Sequence, residues 1–178
     1  MPRKRKIESE PASEDPRYHD TWRLLKIYRD VVWNMELSVH HLKNEFEIEY
    51  GTSVEDFLES VSAAGGDLSG TELQDHARCI KRSSNMVNLI CSSVDLVRQH
   101  HKHGEAYYWV LYYTFLSPQA LDNVQEIMEQ LRPHIRDISI RTYYNKRKQA
   151  VDALGSVLWG YTSKESVELL NEFFPEKK

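Results

Sequence analysis

The residues from Asp20 to Tyr50 read DTWRLLKIYRDVVWNMELSVHHLKNEFEIEY, and their pattern predicts a helical fold. Its apolar side chains recur at steps of three or four over more than three heptads, a spacing typical of a helix that packs along its whole length. The stripe consists of Trp22, Leu25, Tyr28, Val32, Met35, Val39, Leu42 and Phe46. Gly51 follows and predicts the end of the helix, because glycine readily adopts the left-handed conformation found there.

A second long stripe lies in residues 71–101 and begins at Thr71, a good N-cap residue. Its members are Leu73, Ala77, Ile80, Ser84, Val87, Cys91, Val94 and Arg98, widened by Ile90 and Val97. A shorter helix is predicted over residues 53–63, and the glycine-rich residues 65–70 form a loop. Two long stripes predict either an antiparallel hairpin within one chain or a coiled coil between two chains, and periodicity leaves both open.

The rest of the chain also shows helical patterns, in residues 105–116, 118–131, 139–161 and 163–174. Pro118 suits a helix start and Pro133 a turn. We therefore predict an all-α fold with a long helical hairpin or coiled-coil N-terminal region and a C-terminal helix-turn-helix. The predicted divisions are a disordered tail at residues 1–16, a long-helix oligomerisation region at 17–103 and a DNA-binding domain at 104–178.

Charge is segregated along the chain. Hydrophobic residues make up 40% of the chain and charged residues 28%, so a packed core is feasible. The net charge of −4 argues against a protein that coats nucleic acid without specificity. Residues 132–148, however, hold six cationic side chains against one carboxylate, a net charge of +5, and residues 3–6 add four cations. A basic segment in an acidic chain steers a polyanion to one face.

The basic segment has the polarity that a recognition helix requires. Residues 118–131 predict a first helix with a buried face of Leu121, Val124, Ile127, Met128 and Leu131, and residues 132–138 predict a turn. Ser139 is then a good N-cap for a second helix, whose first turns read IRTYYNKRK and whose trailing half is apolar. A recognition helix places its N-terminal turns in the major groove and its other half against its own domain.

Individual roles follow from side-chain chemistry and helical spacing. Arg141 and Asn145 share a face and suit guanine and adenine edges. Ile140 and Tyr143 are predicted to pack against the preceding helix. Phosphate contacts suit Thr142, Lys146, Arg147 and the helix N-terminus. The full predicted DNA-binding set is Arg132, Arg136, Ser139, Arg141, Thr142, Tyr144, Asn145, Lys146, Arg147 and Lys148.

The stretch WVLYYTF at residues 109–115, followed by DISIRTYYNKRKQAVDALG at 137–155, also carries a resemblance. It resembles the C-terminal module of phage late-gene regulators of the ArpU/RinA type, which are similar to region 4 of bacterial sigma factors. The similarity covers residues 105–161, and the turn from Leu131 to Ser139 is longer than in a tight helix-turn-helix. The resemblance implies a phage or mobile-element transcription regulator that acts on promoter DNA, with RNA polymerase as a possible partner.

Other residue clusters favour structural interpretations. The aromatic residues at 107–115 predict core, the histidines at 100–103 a solvated helix end, and Cys79 and Cys91 buried thiols. No catalytic motif, metal site or cofactor site is predicted. The longest apolar run, residues 106–116, has 11 residues, too few to cross a membrane, so a cytoplasmic protein is expected.

The predicted partners are double-stranded DNA and a second copy of the chain, so that two recognition helices meet two half-sites. Two alternatives stay open from the sequence: a helical protein-protein adaptor without DNA contact, and a small DNA-packaging subunit of the terminase type.

Overall fold

The computed structural model describes residues 16–66 and 70–160. Within that part the chain is all-α, as predicted, and contains no strand. The α-helices are α1 Pro16–Tyr50, α2 Val54–Ala63, α3 Glu72–His100, α4 Gly104–Leu111, α5 Val124–Leu131 and α6 Ile140–Trp159. A π-helix, Tyr112–Leu116, continues α4. The predicted tail and the predicted helix at 163–174 lie outside the described residues, except for Pro16.

The helix ends predicted from glycine and from hydroxyl side chains are confirmed. Gly51 has a φ of +64° and its amide donates to the Glu47 carbonyl at 2.9 Å, which closes the last turn of α1. The Ser53 hydroxyl accepts from the Asp56 amide at 3.1 Å at the start of α2. The Thr71 hydroxyl accepts from the Gln74 amide at 3.3 Å at the start of α3.

The prediction that α5 begins at Pro118 is wrong, because the helix begins at Val124. A stronger start signal lies inside the predicted range. The Asn123 side chain accepts from the Glu126 amide at 3.0 Å, and the Glu126 carboxylate accepts from the Asp122 amide at 3.0 Å. This reciprocal arrangement satisfies amides that a helix start leaves without partners.

The two long helices pack antiparallel within one chain. The Tyr28 hydroxyl lies 3.2 Å from the Cys91 sulfur. Residues 31–45, later in α1, face residues 76–83, which come earlier in α3 than Cys91. Every member of the predicted α1 stripe is buried or half-buried. The hairpin alternative is therefore present in this chain. In the α3 stripe, Ala77 is exposed, whereas the other members are buried or half-buried.

One hydrophobic cluster joins the two predicted regions. It contains side chains of α1, α3, α4, the π-helix and α6, namely Tyr18, Trp22, Leu25, Tyr28, Ile90, Val94, Val97, Tyr107, Leu111, Phe115, Ala150, Val151 and Leu154. A second, smaller cluster joins α4, α5 and α6 through Val110, Ile127, Met128, Leu131, Ile135 and Tyr143. The predicted division between residues 103 and 104 therefore does not coincide with a gap in packing.

Arg29 ties α1 to the end of the π-helix. Its Nε donates to the Ser117 carbonyl at 2.8 Å and its Nη2 donates to the Ser117 hydroxyl at 3.1 Å. Burial lowers the pKa of this half-buried guanidinium, yet an arginine keeps its charge at neutral pH. The charge lies beside carbonyls at a helix C-terminus, where a cation is favourable.

Replacing Arg29 by alanine is expected to lower the free energy of unfolding by about 2 kcal/mol, because Ser117 is buried and loses charge-assisted hydrogen bonds. Thermal unfolding followed by circular dichroism measures this change. Arg23→Ala, on the exposed side of the same helix, is the matched control and should leave the melting temperature nearly unchanged. Equal melting temperatures for the two variants would show that the Arg29 contacts contribute little.

Candidate nucleic-acid interface

The trailing half of α6 is anchored in the larger hydrophobic cluster. Ala150, Val151 and Leu154 are fully buried there, and Gly155 crosses α1 closely. A Cβ added at Gly155 would lie 2.9 Å from the Thr21 hydroxyl, so glycine permits this approach. Thr21 also accepts a hydrogen bond from the Trp159 indole at 3.1 Å. These contacts fix the direction in which the leading half of α6 points.

The leading half of α6 is anchored by Tyr143. Its ring is buried, and its hydroxyl hydrogen-bonds with the Thr114 hydroxyl at 3.1 Å, which confirms the inward position predicted for it. The same prediction for Ile140 is wrong, because that side chain is 49% exposed. Ile135 and Ile138 of the preceding turn join the cluster around Tyr143 instead.

Arg141, Asn145 and Lys148 are exposed on the opposite side of α6. Their spacing of four and then three positions puts them in one row along the helix, and we call this row the outer face of α6. Tyr144 and Lys146 flank it and are half-buried. The structure thus presents to solvent the side chains that were predicted to reach base edges.

Arg147 lies on a different side of α6 from the outer face. Its guanidinium is 4.7 Å from the centroid of the Tyr144 ring and 5.0 Å from that of the Trp22 ring of α1. The contact is a cation–π arrangement that ties α6 to α1. Arg147 therefore has a structural contact inside the chain, and its predicted phosphate contact stays a prediction. No local pattern indicates this contact, since Trp22 lies far from Arg147 along the chain.

Ser139 and Thr142 are engaged at the helix start. The Ser139 hydroxyl accepts from the Thr142 amide at 3.1 Å, which confirms Ser139 as the N-cap, and the two hydroxyls are 2.8 Å apart. These hydroxyls stabilise the first turn of α6. The phosphate contact predicted for Thr142 and the DNA contact predicted for Ser139 therefore compete with hydrogen bonds already made inside the chain.

The turn between α5 and α6 is long but well anchored. Ile135 is buried, and the His134 ring stacks on the Trp109 ring with centroids 3.7 Å apart. Asp137 has a φ of +52°, a conformation that aspartate tolerates better than most residues, and it redirects the chain into α6. Arg132 and Arg136 remain exposed on this turn, so their positive charges lie next to the start of α6.

An ion pair holds Trp109 against this turn. Arg98 donates two hydrogen bonds to the Glu105 carboxylate, at 2.7 and 2.9 Å, and the Trp109 indole donates to the same carboxylate at 2.8 Å. These bonds lower the pKa of Glu105, first through Arg98 and then through Trp109. The aromatic residues were predicted as core, and the stacking of Trp109 on His134 is a contact that sequence reasoning missed.

Other predicted features have mixed outcomes. Cys79 is exposed, so its prediction as a buried thiol is wrong, whereas Cys91 is half-buried.

Among residues 16–66 and 70–160, no three histidine, cysteine or acidic side chains come together as metal ligands. In the same ranges, no helix combines the length and apolar character that crossing a membrane requires.

No protein-family model, curated protein or solved structure matches this chain.

Proposed function

We propose that this protein is a sequence-specific, DNA-binding transcription regulator of phage or mobile-element type, which reads promoter DNA with α6. The observation that carries the proposal is the exposed row of Arg141, Asn145 and Lys148 on a helix whose other side is buried. A helix in the major groove needs both features, because one side must reach the bases while the other is held rigidly.

The outer face of α6 has the chemistry and the length for base contacts. Arginine bonds guanine through two donors, and asparagine bonds adenine through its amide. Arg141 and Lys148 are separated by roughly 10 Å along the helix axis, at 1.5 Å per residue, which is about the height of three stacked base pairs. Arg141 and Asn145 are the side chains proposed to read bases, with Lys148 at the edge of the contact.

Phosphate contacts are assigned to Lys148, at the edge of the row, and to three flanking cations. Arg132 and Arg136 are exposed on the turn before α6, and Lys146 flanks the outer face. The phosphate backbones of DNA lie on both sides of the major groove. These cations lie before and beside the side chains proposed to read bases, and this distribution matches the positions of the phosphates. Arg147 is left out of the proposed contact set because it lies over the Trp22 ring.

The salt dependence of DNA binding tests this proposal. The full chain is expected to retain a preferred sequence from a random pool of duplex oligonucleotides. With about four phosphate contacts, its affinity should fall roughly a hundredfold between 50 and 200 mM salt. Failure to retain any duplex at the lower salt concentration would contradict the proposal and favour the adaptor alternative.

A further inference from the structure

The distal parts of the two long helices, residues 31–50 of α1 and 72–86 of α3, face each other, and we call this pair the arm. Among its described side chains, Phe46 alone is buried. Val32, Met35, Val39 and Leu42 are half-buried, although they continue the stripe that is fully buried nearer the core. α2 packs on the far end of the arm, where the Phe57 ring lies 4.7 Å from the Phe46 ring. Between Val32 and Leu42 the two long helices leave part of the apolar stripe to water.

A groove of about 760 Å³ runs between the two helices of the arm. Its apolar lining comes from both walls, with Val31, Met35 and Leu42 on α1 and Ile80 on α3. Leu37, also part of the lining, is 43% exposed, and Trp33 next to it is 62% exposed. Large apolar side chains grouped at one place on a surface mark an interaction site.

We propose that the arm of a second copy of this chain covers the groove, with each α1 lying against the partner's α3 in a four-helix bundle. Two hairpins related by a twofold axis then present the same surface to each other, which is the commonest arrangement in homodimers. A four-helix bundle buries the half-exposed stripes of both hairpins in a shared core.

The charges of the arm favour this pairing of unlike helices. In the distal part of α1, the four carboxylates Glu36, Glu45, Glu47 and Glu49 outnumber the single Lys43. The facing part of α3 carries the exposed cations Arg78, Lys81 and Arg82 against the carboxylates Glu72 and Asp75. Asp75 pairs with Arg78 at 3.3 Å, which leaves Lys81 and Arg82 as the basic side chains that a partner can meet. Placing α1 beside the partner's α3 brings acidic and basic surfaces together, whereas placing α1 parallel to the partner's α1 would bring like charges together.

The size of the arm is sufficient for a stable contact. Twenty residues of helix extend roughly 30 Å, and two helices side by side are about 20 Å wide. Each copy would then bury on the order of 600 Å², or about 1,200 Å² in total, at the lower end of the range for specific dimers. The core and α6 lie outside this contact, so both outer faces stay accessible.

Matched substitutions of exposed leucines test the location of the contact. Leu37→Glu puts a charge at the groove, whereas Leu89→Glu puts the same charge on α3 outside the groove lining, at a leucine that is 59% exposed. Size-exclusion chromatography with light scattering, without DNA, should give twice the chain mass for the unmodified protein and for Leu89→Glu, and the single-chain mass for Leu37→Glu.

A charge swap tests the pairing without touching the core, since Glu45 and Arg82 are both exposed. Glu45→Lys and Arg82→Glu should each weaken self-association by about tenfold. Mixing the two variants should restore association, because each lysine can then meet a glutamate. An unmodified protein that stays monomeric, or a mixture that does not recover, would overturn the proposal. The measurement is independent of DNA binding, so its failure leaves the proposed function untouched.

Discussion

Replacement of Arg141 by alanine is expected to reduce affinity for the preferred duplex by about ten- to a hundredfold and to relax the choice of base at one position. The reason is that a two-donor contact to one base contributes roughly 1–3 kcal/mol of discrimination. Arg141 is exposed on the outer face, so its removal should not unfold the chain. Fluorescence anisotropy with the preferred duplex and with single-base variants of it measures both effects.

Lys148→Ala measures what a positive charge contributes to DNA affinity, separately from the discrimination between bases. We expect this variant to weaken binding to all duplexes by a similar factor and to reduce the slope of the salt dependence by about one, as the loss of a phosphate contact does. Arg23→Ala is the control, since it removes an exposed cation from α1 and leaves the side chains of α6 unchanged. If all three variants bound every duplex alike, the assignment of this interface to α6 would be wrong.

Gly104→Ala is expected to cause the largest loss of stability, about 3 kcal/mol or more, because its Cβ has no space. An added Cβ would lie 2.3 Å from the Arg98 carbonyl oxygen and 2.4 Å from that of Val97. Both atoms belong to the backbone of α3, so relief requires a shift between α3 and α4. Urea unfolding followed by circular dichroism measures the change.

Gly160→Ala is the matched control for this substitution. No atom lies within 4 Å of the position of its added Cβ, and its φ of −54° suits alanine. The control should therefore leave stability unchanged or raise it slightly. A Gly104→Ala variant as stable as the control would show that the turn between α3 and α4 adapts easily.

The helices were predictable because their signals are local. The stripe from Trp22 to Phe46 and the N-caps Thr71 and Ser139 each depend on residues within a few positions of one another. The proline signal predicts the start of α5 at Pro118, but the reciprocal hydrogen bonds of Asn123 and Glu126 start the helix at Val124. Both are local signals, and the hydrogen-bonded one determined where the helix starts.

The candidate site was predictable in part. The exposure of Arg141, Asn145 and Lys148 follows from helical periodicity once the apolar trailing half of α6 is identified. The position of Arg147 does not follow, because the partner that turns it inward is the Trp22 ring of α1. The contact of His134 with Trp109 likewise joins residues of different elements and leaves no pattern in the sequence.

The all-α class, most helix ends and the basic leading half of α6 follow from the order of residues, since all of these arise from neighbours along the chain. The shared core of α1 and α3 with α4 and α6, the exposure of Ile140 and the inward packing of Arg147 are visible only in the folded chain. The physical reason is that burial depends on which apolar surfaces meet, and surfaces of helices distant in sequence meet only in the folded chain.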